Sequence, residues 1–170
     1  FKENPQNRDK IRKKLNLPIE TPIIVYVGSV HPYKKRVDVF LELINSMSKH
    51  ENKVTACFLF IGNNDRTKTH RKLTAKLIEI ADKSSNINVL FTGHVENVSM
   101  YLKCSDIYIL PSEAEGLPNS VIEAMACGLP VIMNKINGIS DFILTHGKNG
   151  YIINDNKISD YITIINKLLT

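Results

Sequence analysis

The chain has 170 residues, 43% of them hydrophobic and 23% charged, which suits one soluble globular domain and excludes disorder, collagen and coiled coil. No apolar run approaches the ~20 residues that a membrane-crossing helix needs. Lys plus Arg number 22 against 17 Asp plus Glu, and the resulting charge of +5 predicts mild attraction to anions without identifying one.

Residues 1–17 come first. Lys2, Arg8, Lys10, Arg12, Lys13 and Lys14 face only Glu3 and Asp9. A basic arm for nucleic acid or membrane is one reading. A solvated leader and a short helix from Asn7 or Asp9 is the favoured one, because Ile11 and Leu15 give that helix an apolar face and no aromatic residue interleaves the cations. Beyond it, short β-rich apolar runs occur at 22–27, 54–61, 87–92, 107–110, 130–133 and 151–153. Between them, 36–49, 68–83, 96–103, 119–127 and 158–169 read as helices; Val37, Phe40, Leu41 and Ile44 recur at helical spacing, as do Leu73, Leu77, Ile80 and Ala81. The apolar runs show little alternation, as expected of strands buried on both faces. This order predicts a Rossmann-like, doubly wound α/β domain with a parallel sheet of about six strands and helices on both faces.

In such sheets ligands bind beyond the carboxyl ends of the strands. The loops from Gly28, Gly62, Gly93, Pro111, Asn134 and Asn154 are therefore the candidates. Gly28-Ser29-Val30-His31-Pro32 is not GxGxxG, and no GxxxxGK[ST] occurs, which argues against a dinucleotide dehydrogenase and a P-loop NTPase. Cys57, Cys104 and Cys127 are scattered, with no zinc-ligand spacing, and fit reduced thiols of a cytoplasmic protein. Cys57 reads as core, Met47, Met100, Met125 and Met133 as core or helix packing, and His31, His50, His70 and His146 as exposed.

The most informative stretch runs from Pro111 to Ile132: strand end, loop, helix, tight turn, next strand. Pro118 or Asn119 suits the helix start, Val121, Ile122, Met125 and Ala126 form one apolar face, and Gly128 fits the C-cap. Small Ala124, Ala126 and Gly128 allow close packing on the sheet. Glu115 and Glu123 flank the helix N-terminus, where free N–H groups and the dipole attract an anion. Two carboxylates there would grip the hydroxyls of a phosphorylated sugar or nucleotide. They would equally serve as mere complements to the helix dipole, and spacing alone does not choose.

The stretch resembles the E-x7-E signature of retaining glycosyltransferases of family 4, PSxxEGxxxxxxEAMAxGxPV. Val27-Gly28, Lys35-Arg36-Val37-Asp38, Phe60-Ile61-Gly62, Phe91-Thr92-Gly93, Asp106 to Leu110, Gly138 and Gly150-Tyr151-Ile152 are similar to other landmarks of the family's C-terminal, donor-binding domain, the second half of a GT-B fold. The resemblance implies a role for each residue. Glu115 would contact the transferred sugar, and the backbone of Gly116, Leu117, Pro118, Asn119, Ser120 and Val121 would lie along the sugar and diphosphate. Glu123 would bond the ribose, and Lys35 would stabilise the diphosphate leaving group. Gly28 and Ser29 would border the nucleotide, and Gly93 and His94 would lie near the base. Two departures stand out. Ser29 occupies a position where many members carry Arg, and Leu117-Pro118 alters the loop over the sugar.

The resemblance further implies a UDP- or GDP-sugar donor, no cofactor and no metal, no nucleic-acid partner, and a glycan or lipid-linked acceptor. The acceptor would be held by an N-terminal domain that this stretch does not include, so the isolated chain is expected to bind donor without turnover. The chain opens at Phe1 without Met, as a piece of a longer protein would. Any peripheral association at the inner face of the membrane would belong to the full-length protein. Two rivals are a GT-B enzyme with epimerase or phosphorylase chemistry and a non-catalytic nucleotide-binding Rossmann module.

Overall fold

The computed structural model describes residues 5–29, 35–49, 54–62 and 67–169. Elements run in the order α1 (Pro5–Lys14), β1 (Ile23–Val27), α2 (Asp38–Lys49), β2 (Ala56–Ile61), α3 (Lys68–Asp82), β3 (Ile87–Gly93), α4 (Val98–Lys103), β4 (Ile107–Leu110), α5 (Asn119–Ala126), β5 (Val131–Asn134), α6 (Ser140–Ile143), β6 (Tyr151–Ile153) and α7 (Ile158–Leu169). The six strands form one parallel sheet in the order β3-β2-β1-β4-β5-β6. The strand order reverses between β1 and β4. Their pairing covers only Ile24 with Ile107 and Val25 with Tyr108, so the two strands part toward their carboxyl ends and open a crevice there.

Burial on both faces explains why the strands lack alternation. Every residue of β2, β4 and β5 is buried, whereas edge strand β3 buries only Ile87. The helices touch in two groups: α2 with α3 and α7, and α4 with α1 and α5. An aromatic cluster docks α2 onto β1 and β2. Phe40 packs edge-on against Phe60 at 5.0 Å and Tyr26 at 5.7 Å, and Phe60 stacks on Phe91 at 4.8 Å. That cluster fixes the start of α2, which carries Lys35 just ahead of it. Among the described residues, no helix is long and apolar enough to cross a membrane.

Four sequence expectations need correction. The first helix starts at Pro5, and its basic face is not all solvated. Arg12 is fully buried; it donates to the carbonyls of Cys104, Pro18, Ile19 and Thr21 and to Asp106 Oδ2 at 2.8 Å. Second, residues 140–143 form a short helix that the pattern did not predict, because four residues are too few to show a period. Third, His70 is buried, with its Nε2 3.2 Å from Thr74 Oγ1 one turn further along α3. His31 and His50 lie outside the described residues. Fourth, the face that α5 buries is Val121 and Ala124. Ile122 is 42% exposed, Ala126 is exposed, and Met125 is half-buried, since the helix lies with its Val121–Ala124 edge on the sheet.

Candidate functional site

At the carboxyl edge of the sheet, main-chain contacts join the first three strand ends. Gly28 N donates to Ile61 O at 2.8 Å, and Gly62 N donates to Gly93 O at 3.0 Å. A Cβ on Gly62 would sit 2.2 Å from Gly28 O, so no other residue fits between these strand ends. Ser29 is exposed, and its carbonyl accepts from Tyr26 Oη at 2.8 Å. His94 is exposed at the end of β3. At roughly 4.8 Å per strand, the β3 end stands about 10 Å from β1 and about 15 Å from β4.

The β4–α5 segment lies on the other side of the crevice. Its turn geometry follows from its residues. Pro118 caps α5 without a side-chain bond, and Val121 N donates to Pro118 O at 2.9 Å. At the far end Gly128 takes φ 77°; its N–H donates to Met125 O and that of Leu129 to Ala124 O, which closes the helix in a Schellman turn. A Cβ on Gly116 would meet nothing within 4 Å, so the main chain there faces open space. Leu117 and Asn119 are exposed, Ser120 is half-buried, and Val121 is fully buried. Glu123 is exposed, and among the described residues no side-chain hydrogen bond or ion pair engages it. The structure therefore leaves this carboxylate available one turn into α5.

Lys35 and Glu115, 80 residues apart in sequence, meet across the crevice. Lys35 Nζ donates to Glu115 Oε1 at 2.7 Å and to Oε2 at 2.8 Å. The side chains are 30% and 11% exposed, so this pair stands at the mouth of the crevice rather than in the core. The neighbouring Arg36 serves another purpose. Held at φ 48°, it bonds Asp38 at 3.1 Å and pairs with Glu113. Lys34 lies outside the described residues.

Sequence reasoning missed the groups that hold these loops. Asn156 donates to Glu113 Oε1 at 2.9 Å and accepts from Asn134, which also donates to Pro111 O at 2.6 Å. Tyr161 Oη, wholly buried, donates to Asn134 Oδ1 at 2.6 Å. Tyr108, also wholly buried, reaches Ser120 Oγ at 2.7 Å. A signal was present in the sequence. Tyr108 is a polar group in a strand that otherwise reads as core, and such a group requires a partner. Burial first, with the charges of Glu115 and Glu123 adding to it, pushes the Tyr108 phenol pKa well up, so it stays a hydrogen-bond donor.

Comparison with known proteins fits this arrangement. The chain is 32% identical over 148 residues to the putative teichuronic acid biosynthesis glycosyltransferase TuaC of Bacillus subtilis, covering 86% of this chain and 33% of that protein. It is 29% identical over 143 residues to the N-acetyl-alpha-D-glucosaminyl L-malate synthase of Bacillus anthracis, covering 84% and 35% respectively. The chain thus spans about a third of the length of these relatives. Its fold superposes on the crystal structure of Anabaena HepE in complex with UDP-glucose with a TM-score of 0.78 at 20% identity, over 99% of this chain and 44% of that one. The family model for glycosyl transferases group 1 matches residues 21–170, everything from the approach to β1 onward, and the chain belongs to that family.

Proposed function

We propose that this chain is the donor-binding half of a retaining, metal-independent glycosyltransferase of GT-B architecture, with the acceptor held by a second domain of the longer protein. The observation that carries the reading is the meeting of Lys35 and Glu115 at the β1–β4 crevice, beside the start of α5. A cation, a carboxylate and a helix N-terminus suit a ligand that carries both diphosphate and hydroxyls. The UDP-glucose complex of HepE, a protein of the same fold, supports that choice of ligand class.

In this reading the diphosphate lies against the first turn of α5 and Lys35. Glu115 holds hydroxyls of the sugar, and exposed Glu123 holds those of the ribose. Gly28 and Ser29 border the nucleotide, with Gly93 and His94 toward the base. During transfer the bond between the sugar's anomeric carbon and the diphosphate oxygen breaks, and its electron pair stays on the diphosphate. The acceptor oxygen forms the new bond and passes its proton to the diphosphate oxygen that leaves. Lys35 lowers the cost of the charge that builds on the leaving group. With the acceptor held by the second domain, the chain alone is expected to bind donor without transferring sugar.

The test is calorimetry of the chain with UDP, GDP, ADP and their sugars, with EDTA present. Binding of one diphosphate series is the expected result, with a steep loss in Lys35→Ala for the diphosphate and little for the nucleoside. The reading fails if none of the six ligands binds.

A further inference from the structure

Tyr108 occupies an unusual place. It is the last β4 residue paired with β1, directly beneath the point where the two strands part. Its ring is fully buried, yet its oxygen reaches the second residue of α5, 2.7 Å from Ser120 Oγ. The phenol donates this hydrogen bond to the serine oxygen. A serine hydroxyl carries a single proton. With its oxygen accepting from the phenol, Ser120 is left to donate its own proton. Ser120 is half-buried at the helix start.

We propose that Tyr108 is a positioning residue of the donor site: it fixes the Ser120 hydroxyl so that the serine proton is presented to a phosphate oxygen at the start of α5. This inference rests on the donor-site reading above. It adds to that reading one oriented side-chain donor on the α5 side of the crevice, opposite Lys35. Orientation is the point. A free hydroxyl rotor must give up its rotation on binding, whereas one already held by a buried phenol does not. The group that does the holding never touches the ligand.

The test is a double-mutant cycle on the 170-residue chain, with UDP and GDP as probes and uridine and guanosine as their phosphate-free controls. Ser120→Ala should weaken the bound diphosphate about tenfold, the usual range for a charge-assisted hydrogen bond, and leave the nucleoside unchanged. Tyr108→Phe, which keeps the ring and removes one oxygen, should produce a several-fold loss of the same kind. Tyr108→Phe in the Ser120→Ala background should cost nothing more, because its only route to the ligand is gone. A purely structural tyrosine would instead weaken diphosphate and nucleoside alike and add its loss to that of Ser120→Ala; that result overturns the inference. Unchanged diphosphate affinity in Ser120→Ala also overturns it, and this arm stands even where Tyr108→Phe does not fold. Failure of the unsubstituted chain to bind either diphosphate removes the donor reading and this inference together, whereas binding with no effect of either substitution removes this inference alone.

Discussion

Strands β1 and β4 carry a charge cluster at each end, and the two clusters differ in how completely they are satisfied. At the amino ends, Asp106 accepts from Arg12, from Arg8 at 2.7 Å and from the main-chain N–H of Ile23 at 2.7 Å. Arg12 spends its remaining donors on four carbonyls and has no exposed surface. Only Arg8 Nε is buried there without a partner among the described residues. At the carboxyl ends, Lys35 and Glu115 pair while partly exposed, and Glu123 has no side-chain partner at all among the described residues. The ingredients are the same: acid, base and strand termini. The lesson is about valence. A cluster whose donors and acceptors are nearly all consumed by the protein is scaffold, and one with capacity left over is built for something else.

The largest expected effect breaks the closed end. Arg12→Ala leaves half-buried Asp106 with Arg8 and the Ile23 N–H and strips four carbonyls of their donor, so unfolding should become easier by about 3–5 kcal/mol. Urea denaturation measures this; Lys10→Ala, at an exposed position on the same helix, should move it by less than about 0.5 kcal/mol. A loss as small for Arg12 as for Lys10 would return the helix to the solvated leader that its charge pattern suggests.

At the open end the order of effects reverses, with little change in stability and much in binding. Glu123→Ala removes an exposed carboxylate that holds nothing together, so the unfolding midpoint should stay put. Nucleoside and nucleoside diphosphate should both weaken about tenfold if it grips the ribose. Glu115→Gln is expected to act in opposite directions on two ligands. Freed from its carboxylate partner, Lys35 becomes a stronger site for a bare diphosphate, by about two- to fivefold from the ordinary worth of an exposed ion pair. The nucleotide-sugar should weaken instead, since the hydroxyl contacts are lost. Calorimetry with UDP and a UDP-sugar separates the outcomes. Equal changes for both ligands would mean that Glu115 serves only to hold Lys35.

The contrast between the two ends also explains what the sequence disclosed. The sheet was legible almost residue by residue, because burial on both faces leaves unbroken apolar runs such as Ala56–Ile61. Glu115, Glu123 and Lys35 were legible as candidates because the signature places them on loops and a helix start. Their relation was not. That Lys35 bonds Glu115, or that Arg36 turns to Glu113, depends on loops 80 residues apart meeting at the sheet edge, and no local pattern encodes it. Arg12 was misread for a related reason. Its helix is so rich in cations that one buried arginine is hidden among solvated ones, and only the distant Asp106 distinguishes it.

A further effect is confined to alkaline pH, and it again separates the two ends. Burial pushes the Cys57 and Cys104 thiols up to about 11, and Arg12, which pulls both down, does not offset it. Cys127, half-buried at the C-cap of α5, has no such enclosure. In the folded protein the two enclosed thiols keep protons that the unfolded chain releases near pH 9. Their contribution to stability is therefore complete below pH 9 and is lost as pH rises toward 11. Tyr26, Tyr108 and Tyr161, whose phenols burial also pushes up, act in the same direction and steepen the decline above pH 10. Urea midpoints measured across this range should fall from pH 9 upward, and more gently in Cys104→Ala. At pH 8 an alkylating reagent should label Cys127 in the native chain and reach Cys57 and Cys104 only on unfolding. Rapid native labelling of Cys104 would mean that the end of the sheet sealed by Arg12 opens readily, and the distinction between a closed and an open end would then have to be made on kinetics rather than on structure.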